Sequence, residues 1–200
     1  LEGGSIESNG KGTILTTSQC LLSKNRNGGY SQEEIEEQLK SFFGANRILW
    51  LDHGYMAGDD TDSHVDTLAR FAPNDTIVYV ATNNPNDEHY EELAKMEAQL
   101  KSFRTENGDN YKLIPVPLPS PIYDEDDLRL PATYANFLIC NGFVAVPTYG
   151  QPDNDKAAME AIAKAFPGRK IVGIDCNALI KQHGSLHCVT MQFPENVIKF

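Results

Sequence analysis

Apolar residues along the chain fall into short uninterrupted runs and into longer stretches in which they recur about every 3.6 positions, the two patterns that predict strands and helices. The short runs, bounded by turn-forming residues, predict strands at 13–17, 47–51, 67–71, 76–82, 112–118, 134–140, 143–147, 170–175 and 186–193. The periodic stretches predict helices from 31 to 44, from 86 or 87 to 103, and from 153 or 155 to 166. Pro115 and Pro117 place the strand at 112–118 at a sheet edge, because proline cannot donate to the ladder.

The predicted elements repeat in a fixed order. Strand, strand, helix, strand occurs twice in full, over 67–118 and 134–175, after a partial copy earlier in the chain. A repeat this regular predicts an α/β fold in which ββαβ units form a closed ring and bury their faces against one another. A doubly wound α/β sheet is the competing architecture. The Asn141–Gly142 pair signals an antiparallel hairpin and favours the ring.

An acidic stretch, GDDTDSHVD at 58–66, lies between two predicted strands. Such a corner is a place where a rigid scaffold presents functional side chains. His64 and Asp66 are two residues apart, so an extended backbone from Ser63 onward would direct both side chains to one face. A solvated acidic loop that happens to contain a histidine is the alternative interpretation.

Alignment of the repeats brings SHVDTLARF beside LHCVTMQF at the start of equivalent strands. His64 and Asp66 would then converge with His187 and Cys188 on one central cavity. Cys188 is the candidate nucleophile, since a thiolate supported by a separate histidine is the minimal apparatus for covalent catalysis at an electrophilic carbon. A single cysteine in a strand is more often a small core residue. That role is assigned to Cys20, Cys140 and Cys176.

Acid–base chemistry and cation binding have candidates in the acidic stretch. His64 is the candidate acid and base, because histidine titrates near neutral pH. Asp66, with Asp60 as a weaker second, can accept hydrogen bonds from a planar cation, which a carboxylate matches in shape and charge. Asp59 and Asp62, together with Asp60, would otherwise form a solvated turn or a weak site for a hard metal ion.

The composition narrows the class of protein. Two hundred residues, of which 40% are hydrophobic and 22% charged, indicate one globular domain or two at most. The net charge of −11 disfavours nucleic acid and anionic membrane surfaces as partners and suits a cationic substrate. No apolar run approaches the roughly 20 residues of a membrane-spanning helix. Four cysteines without a CxxC spacing indicate reduced thiols in a cytoplasmic protein.

The first residues, LEGGS, contain no initiator methionine, basic segment or apolar signal core. We therefore expect the chain to be a piece of a longer polypeptide or a processed product. In the ring architecture, such a piece would hold fewer units than a closed ring requires.

Five segments together carry a resemblance to a known family. They are LEGGSIESNGKGTILTT at 1–17, CLLSKNRN at 20–27, GDDTDSHVD at 58–66, YANFLICNGFVAVP at 134–147 and HGSLHCVTMQFP at 183–194. In this order they resemble the agmatine deiminases, in the family that also holds the bacterial peptidylarginine deiminases. The resemblance implies a pentein fold, which is a propeller of five ββαβ units. It also implies hydrolysis of a guanidinium to a ureido group with release of ammonia, for which no metal or organic cofactor is expected.

Matching motifs imply roles for individual residues. Cys188 resembles the family's nucleophile, His64 its general acid and base, and Asp66 the carboxylate that holds the guanidinium. Asn141 lies near the place of a substrate-contacting asparagine, and it joins Asp60 as an expected substrate-binding residue.

Two departures from the family pattern are expected to matter. The nucleophile motif GGGxHC reads HGSLHC here, with His183 and Ser185 in place of glycines, so we expect the entrance of the pocket to differ. A second guanidinium-binding aspartate belongs to a motif that precedes LEGG in the family. Residues 1–200 are therefore expected to form a single pentein catalytic domain fragment without its N-terminal units.

The resulting hypothesis is a hydrolase that converts agmatine to N-carbamoylputrescine and ammonia in polyamine biosynthesis, through a covalent thiouronium on Cys188. A small cationic guanidino compound is the expected partner, and a homo-oligomer is one open arrangement. Free arginine or peptidylarginine is the alternative substrate. A pocket that reads arginine would need a basic residue at its distal end, for which Arg26 and Arg129 are candidates.

Two alternatives come from other classes. One is a metal-dependent hydrolase whose ligands would be Asp60, His64, Asp66 and His187. The other is a catalytically inactive fragment or binding module.

Overall fold

The computed structural model describes residues 1–193 and residue 197. Nine strands form three sheets: β1 (Ile6–Ser8), β2 (Thr13–Thr17), β3 (Arg47–Leu51), β4 (Ala69–Ala72), β5 (Thr76–Ala81), β6 (Lys112–Pro117), β7 (Leu138–Ile139), β8 (Phe143–Thr148) and β9 (Lys170–Asp175). The α-helices in this part of the chain are α1 (Ser18–Leu21), α2 (Lys24–Asn27), α3 (Gln32–Phe43), α4 (Tyr90–Ser102) and α5 (Pro152–Ala165). Short 3-10 helices occupy Gly3–Ser5, Val65–Thr67, Ile180–Gln182 and His187–Val189. None of the helices described is long and apolar enough to cross a membrane.

The three sheets are copies of one pattern. In each sheet the first strand pairs antiparallel with the second, and the second pairs parallel with the third, giving the orders β1-β2-β3, β4-β5-β6 and β7-β8-β9. The parallel pair requires a crossover, and the long helices α3, α4 and α5 supply it. The predicted ββαβ repeat is therefore confirmed, and its first copy is complete. Its opening strand β1 escaped the sequence pattern because it has only three residues, two of them polar.

The predicted strand starts around the candidate site were wrong. His64 precedes a 3-10 helix at Val65–Thr67, and β4 begins only at Ala69. The stretch predicted as a strand at 186–193 contains a 3-10 helix at His187–Val189 instead. Its backbone donors are taken by Asn136, whose main-chain and side-chain oxygens both accept from the His187 N–H. The two segments thus meet through turns, and the inferred equivalence of strand starts does not hold.

Other boundaries moved for local reasons. The strand predicted at 134–140 is reduced to Leu138–Ile139. Helix α4 begins at Tyr90, because the Asp87 side chain is used in the preceding turn, where it accepts from the His89 N–H. Helix α5 begins at Pro152, and Asp155 reaches back to accept from the N–H of Gln151. The proline-containing strand β6 lies at a sheet edge, as predicted.

The core is divided between the two faces of the first sheet. On β2, Ile14 packs with Leu39 of α3 and Trp50 of β3 in an outer cluster, whereas its neighbour Leu15 belongs to the main cluster shared with the second and third units. Successive strand residues point to opposite faces, so one strand serves both clusters. The main cluster joins the three units into one body.

Candidate active site

A cavity of about 740 Å³ opens where the connections between units converge. Its walls come from segments distant in sequence, at 2–4, 60–66 and 182–192, together with Arg26. Among the candidate site residues selected from the sequence, Asp60, His64, Asp66, His187 and Cys188 line it. The structure therefore brings together the candidate nucleophile, the candidate acid and base, and both candidate carboxylates.

Cys188 presents its thiol to this cavity from a 3-10 helix. The sulfur lies 3.5 Å from Asn136 Oδ1 and 3.9 Å from Asp66 Oδ2. Although Cys188 as a residue is exposed, its sulfur is partly enclosed by the cavity walls. This partial burial, followed by the negative charge of Asp66, raises the pKa of Cys188 to about 11. At neutral pH the thiol is therefore protonated in the free protein, and a positive charge brought beside it would favour the thiolate.

One carboxylate oxygen of Asp66 is hydrogen-bonded, and the other has no hydrogen-bond partner among the described residues. The side chain is buried, and its Oδ2 lies 2.7 Å from Nδ1 of His187. Within the described residues, the buried Oδ1 has no hydrogen-bond partner. A buried carboxylate oxygen left unpaired costs free energy that an incoming donor recovers. The arrangement is that of a binding group for an N–H donor that enters the cavity.

Glu2 orients His64, and sequence reasoning missed it as a functional residue. The buried His64 places Nε2 at 2.5 Å from Oε2 of Glu2, and the same carboxylate accepts from Arg26 at 2.6 Å. The hydrogen bond from Arg26 is the largest influence on the pKa of Glu2 and lowers it; burial opposes this, and the hydrogen bond from His64 adds to the lowering, so the pKa is lowered in total. Glu2 therefore stays ionised and fixes the imidazole ring beside the cavity.

The remaining aspartates of the acidic stretch shape the loop. Asp62 and Ser63 both have left-handed backbones, with φ of 60° and 61°, which is strained for residues other than glycine. Arg26 holds this turn through the Asp62 carboxylate at 3.1 Å and the Thr61 carbonyl at 3.0 Å. The Asp59 carboxylate accepts from the N–H groups of Thr61 and Ser63. Asp59 and Asp62 thus serve the turn before His64, while Asp60 lines the cavity.

The two residues that replace motif glycines both make specific contacts. His183 lines the cavity with a left-handed backbone at φ 63°, and its Nδ1 lies 2.8 Å from the Gly58 carbonyl oxygen. Ser185 is buried, with its hydroxyl 2.8 Å from that of Tyr149. The imidazole of His183 therefore links the wall that carries Cys188 to the start of the acidic loop.

Asn141 does not lie at the cavity. It is exposed in the turn between β7 and β8, and it is not among the residues that line the walls. The asparagine that contacts the nucleophile is Asn136, which is fully buried. The geometry gives no support to substrate binding by Asn141.

The metal-dependent alternative also lacks structural support. Over residues 1–193 and 197, no group of three or more His, Cys, Asp or Glu side chains is arranged so that it could hold a metal ion. His187, one of the proposed ligands, is engaged with Asp66 through Nδ1.

Comparison with known proteins identifies the family. The family model described as Porphyromonas-type peptidyl-arginine deiminase matches residues 1–194. The chain belongs to this family. Solved structures that resemble it have the pentein fold, so the three ββαβ units are units of a pentein.

Individual relatives carry different substrate names. An agmatine deiminase of Medicago truncatula is 34% identical over 212 residues, covering 97% of this chain and 57% of the relative. A C. jejuni agmatine deiminase, solved as a cysteine-to-serine variant with substrate bound, is 44% identical with a TM-score of 0.87, covering 94% of this chain and 54% of that one. A Porphyromonas gingivalis structure, provisionally described as an arginine deiminase, is 53% identical with a TM-score of 0.96, covering 100% and 58%. The chain thus spans a little over half the length of these relatives.

Proposed function

We propose that this family member hydrolyses a guanidino group, with agmatine as the substrate and N-carbamoylputrescine and ammonia as products. The observation that carries the proposal is that buried Asp66, whose Oδ1 has no hydrogen-bond partner among residues 1–193 and 197, lines one cavity with Cys188 and His64. A guanidinium supplies N–H donors in a planar array that fits a carboxylate. Its central carbon would then lie within reach of the sulfur. The names of the Medicago and C. jejuni relatives agree with this choice.

Substrate binding would also activate the nucleophile. Desolvation and the Asp66 charge hold the pKa of Cys188 at about 11. A bound guanidinium neutralises Asp66 and places positive charge beside the sulfur, which lowers the cost of forming the thiolate. The thiol would therefore lose its proton mainly when a cationic substrate occupies the site.

In the first half of the reaction, the Cys188 thiol gives its proton to His64, and the resulting thiolate attacks the guanidinium carbon and forms a carbon–sulfur bond. The tetrahedral adduct collapses as the bond to one terminal nitrogen breaks. His64 donates the proton that this nitrogen needs to leave as ammonia. The product on the enzyme is a covalent thiouronium held by Asp66.

In the second half, a water molecule takes the place of the ammonia. His64, now without its proton, removes one from this water as it attacks the same carbon. The carbon–sulfur bond then breaks, the hydroxyl group of the adduct gives its proton to the departing sulfur, and the ureido product forms with the Cys188 thiol restored. Glu2 keeps the imidazole ring in one orientation through both halves, because it is hydrogen-bonded to His64 throughout.

The candidate cationic side chains already pair with carboxylates, which favours agmatine over arginine as the substrate. Arg26 lines the cavity, but its guanidinium is bound to Glu2, Asp62 and the Thr61 carbonyl. Arg129 is half-buried and paired with Asp87 and Glu88. The carboxylate of an arginine substrate would therefore find no uncommitted cation among the described residues of the cavity. The distal amine of agmatine requires no such partner.

Replacement of the nucleophile tests the chemistry. In the full-length native polypeptide, Cys188→Ser and Cys188→Ala should lower formation of the ureido product at least 10³-fold, because no covalent intermediate can form with comparable ease. The matched control is Cys140→Ala, which removes a cysteine that lies outside the cavity and should retain turnover. Turnover retained by both Cys188 variants would reject the assignment.

A substrate series tests the choice of agmatine. Agmatine, free arginine and a peptide that ends in arginine would be compared at equal enzyme concentration. We expect kcat/KM to be highest for agmatine by at least tenfold. A higher value for arginine or for the peptide would replace agmatine as the substrate while leaving the deimination chemistry in place.

The cellular setting follows from the same proposal. N-carbamoylputrescine is a precursor of putrescine, so the enzyme would serve polyamine biosynthesis. A cytoplasmic location agrees with four cysteines that are all free in the structure. A homo-oligomeric state stays a prediction.

A further inference from the structure

A chain of buried polar contacts runs from the first sheet to Asp66. Glu7 of β1 accepts from Nε of Arg70 at 2.6 Å, and Arg70 Nη2 lies 3.4 Å from Nε2 of His187. The other nitrogen of His187, Nδ1, lies 2.7 Å from Asp66 Oδ2. Glu7 belongs to the first ββαβ unit, Arg70 to the second, and His187 to the segment that follows the third. The contacts therefore join all three units at one carboxylate.

The ion pair between Arg70 and Glu7 is almost inaccessible to solvent. The Arg70 side chain is 3% exposed and that of Glu7 is 9% exposed. Their remaining polar groups are satisfied as well: Arg70 donates from Nη1 to the Phe137 carbonyl, and Glu7 accepts from the Phe71 N–H. A buried ion pair is often no more stable than apolar residues of the same volume. Because this pair contacts His187 at the cavity, its role is to hold the side chains of the site in position rather than to add stability.

The contacts determine which nitrogen of His187 carries hydrogen. Arginine has donors and no acceptor, so Nε2 of His187 must accept from Arg70. The ring hydrogen then belongs on Nδ1, from which it is donated to Asp66 Oδ2. This occupies one carboxylate oxygen and leaves the buried Oδ1 as the one without a partner among the described residues.

We propose that Glu7, Arg70 and His187 form a positioning relay that fixes the tautomer of His187 and the rotation of the Asp66 carboxylate, so that Oδ1 faces the guanidino substrate. The proposal rests on the proposed function, in which Asp66 holds that substrate. None of the three residues touches the reacting atoms. Their effect is to keep the binding oxygen in place before the substrate arrives, which avoids an ordering cost on binding.

Two substitutions of His187 separate this role from general packing. The amide nitrogen of asparagine can take the place of Nδ1 and donate to Asp66, whereas the longer glutamine places its amide near Nε2 and reaches Arg70 instead. We expect His187→Asn to keep kcat/KM for agmatine within about fivefold of the parent protein. We expect His187→Gln to lower it at least 30-fold, mainly through KM. The melting temperatures of the two variants should agree.

The outcomes are decisive in either direction. Equal activity of the two variants, whether both are active or both are impaired, would overturn the relay. Arg70→Lys extends the test, since lysine keeps the charge but loses the forked geometry, and it should raise KM. If Arg70→Lys does not fold, the two His187 variants still decide the question, because they leave the Glu7–Arg70 pair intact.

A second measurement does not depend on turnover. The rate at which iodoacetamide alkylates Cys188, resolved by mass spectrometry and followed against pH, reports the charge that Asp66 presents to the sulfur. The midpoint should lie higher in His187→Gln than in His187→Asn, since Asp66 has lost a donor and repels the thiolate more strongly. If the parent protein deiminates no guanidino compound but the midpoints differ in this order, the proposed function fails and the relay stands. Equal midpoints would reject the relay.

Discussion

At the residue scale, Gly4 marks how closely the backbone approaches His64 and Asp66. A Cβ built on Gly4 would lie 2.6 Å from His64 Nδ1 and 3.0 Å from each Asp66 carboxylate oxygen. These distances are shorter than van der Waals contact allows, and both side chains are held by other partners. Glycine is therefore required here by space.

The change Gly4→Ala should displace His64 and Asp66 and lower kcat/KM by about 10²-fold, since displacements near 1 Å at a reacting centre have effects of this size. Gly29→Ala is the matched control, because a Cβ there meets nothing within 4 Å and the residue lies outside the cavity. Steady-state kinetics and circular dichroism of both variants make the measurement. Gly4→Ala with unchanged kinetics would show that the pocket relaxes freely around the new methyl group.

The residues that sequence reasoning missed share one property. Glu2 contacts His64 and Asn136 contacts Cys188 only across separations of 62 and 52 residues. Contacts between residues so far apart leave no periodic pattern in the sequence from which they could be predicted. Asn141 was selected because it lies near the place of a substrate-contacting asparagine in the family that the sequence resembles. The turn between β7 and β8 leaves it exposed and outside the cavity lining.

At the element scale, helix α3 is the best example of a structure determined locally. Ser31 caps it by accepting from the Glu34 N–H, while the Glu34 side chain returns a bond to the Ser31 N–H. Gly44 ends it with a left-handed φ of 62°. Each of these signals acts within four residues of the helix end that it sets, so the sequence predicted both ends of the helix.

Removal of the cap should measure its contribution. Ser31→Ala is expected to lower the free energy of unfolding by about 1 kcal/mol, because the Glu34 N–H loses its acceptor at the helix start. Ser41→Ala is the matched control at an exposed position inside the same helix, where alanine is the better helix former. Urea unfolding of both variants provides the comparison. A loss of similar size in both would contradict a specific capping effect.

The turns that carry the catalytic residues could not be predicted in the same way. The segment from His64 to Asp66 alternates as a strand would, yet it begins a 3-10 helix. Its backbone is held by Thr17, which donates to the Ser63 carbonyl from another sheet at 2.7 Å. The segment around Cys188 is held by Asn136. Tertiary hydrogen bonds override the local pattern at both places.

At the scale of the whole molecule, Asp87 fastens the connections between units. It pairs with Arg129, which precedes the third unit, and with His89, whose Nε2 accepts from the Ala57 N–H in the loop before the second unit. Burial opposes ionisation of Asp87, but hydrogen bonds from Arg129 and His89 outweigh it and lower its pKa to about 2. The ordinary value is 3.8.

A depressed carboxylate pKa contributes stability that is present above the unfolded value and lost as pH falls toward the folded value. The contribution of Asp87 should therefore be complete above about pH 4 and decline toward pH 2, with a size on the order of 1–2 kcal/mol. Asp87→Asn should lower the unfolding free energy at pH 7 and flatten its fall in acid. Urea unfolding at several pH values measures both effects.

The matched control for this change is Asp109→Asn. Asp109 is exposed, and its carboxylate makes no hydrogen bond within the part of the chain described. Its replacement should leave the acid dependence unchanged. An equal change in the two variants would assign the effect to net charge, and not to the buried network around Asp87.

The sequence by itself determined the repeated ββαβ order, the three long helices with both ends of α3, the edge position of β6 and the three residues proposed for catalysis. These follow from periodicity, from turn chemistry and from motifs, all of which act over short stretches of chain. Only the tertiary structure decided that Glu2 meets His64, that Asn136 holds Cys188, and that Arg26 and Arg129 are committed to carboxylates. Such contacts join distant segments, and they exist only once the main core has brought the three units together.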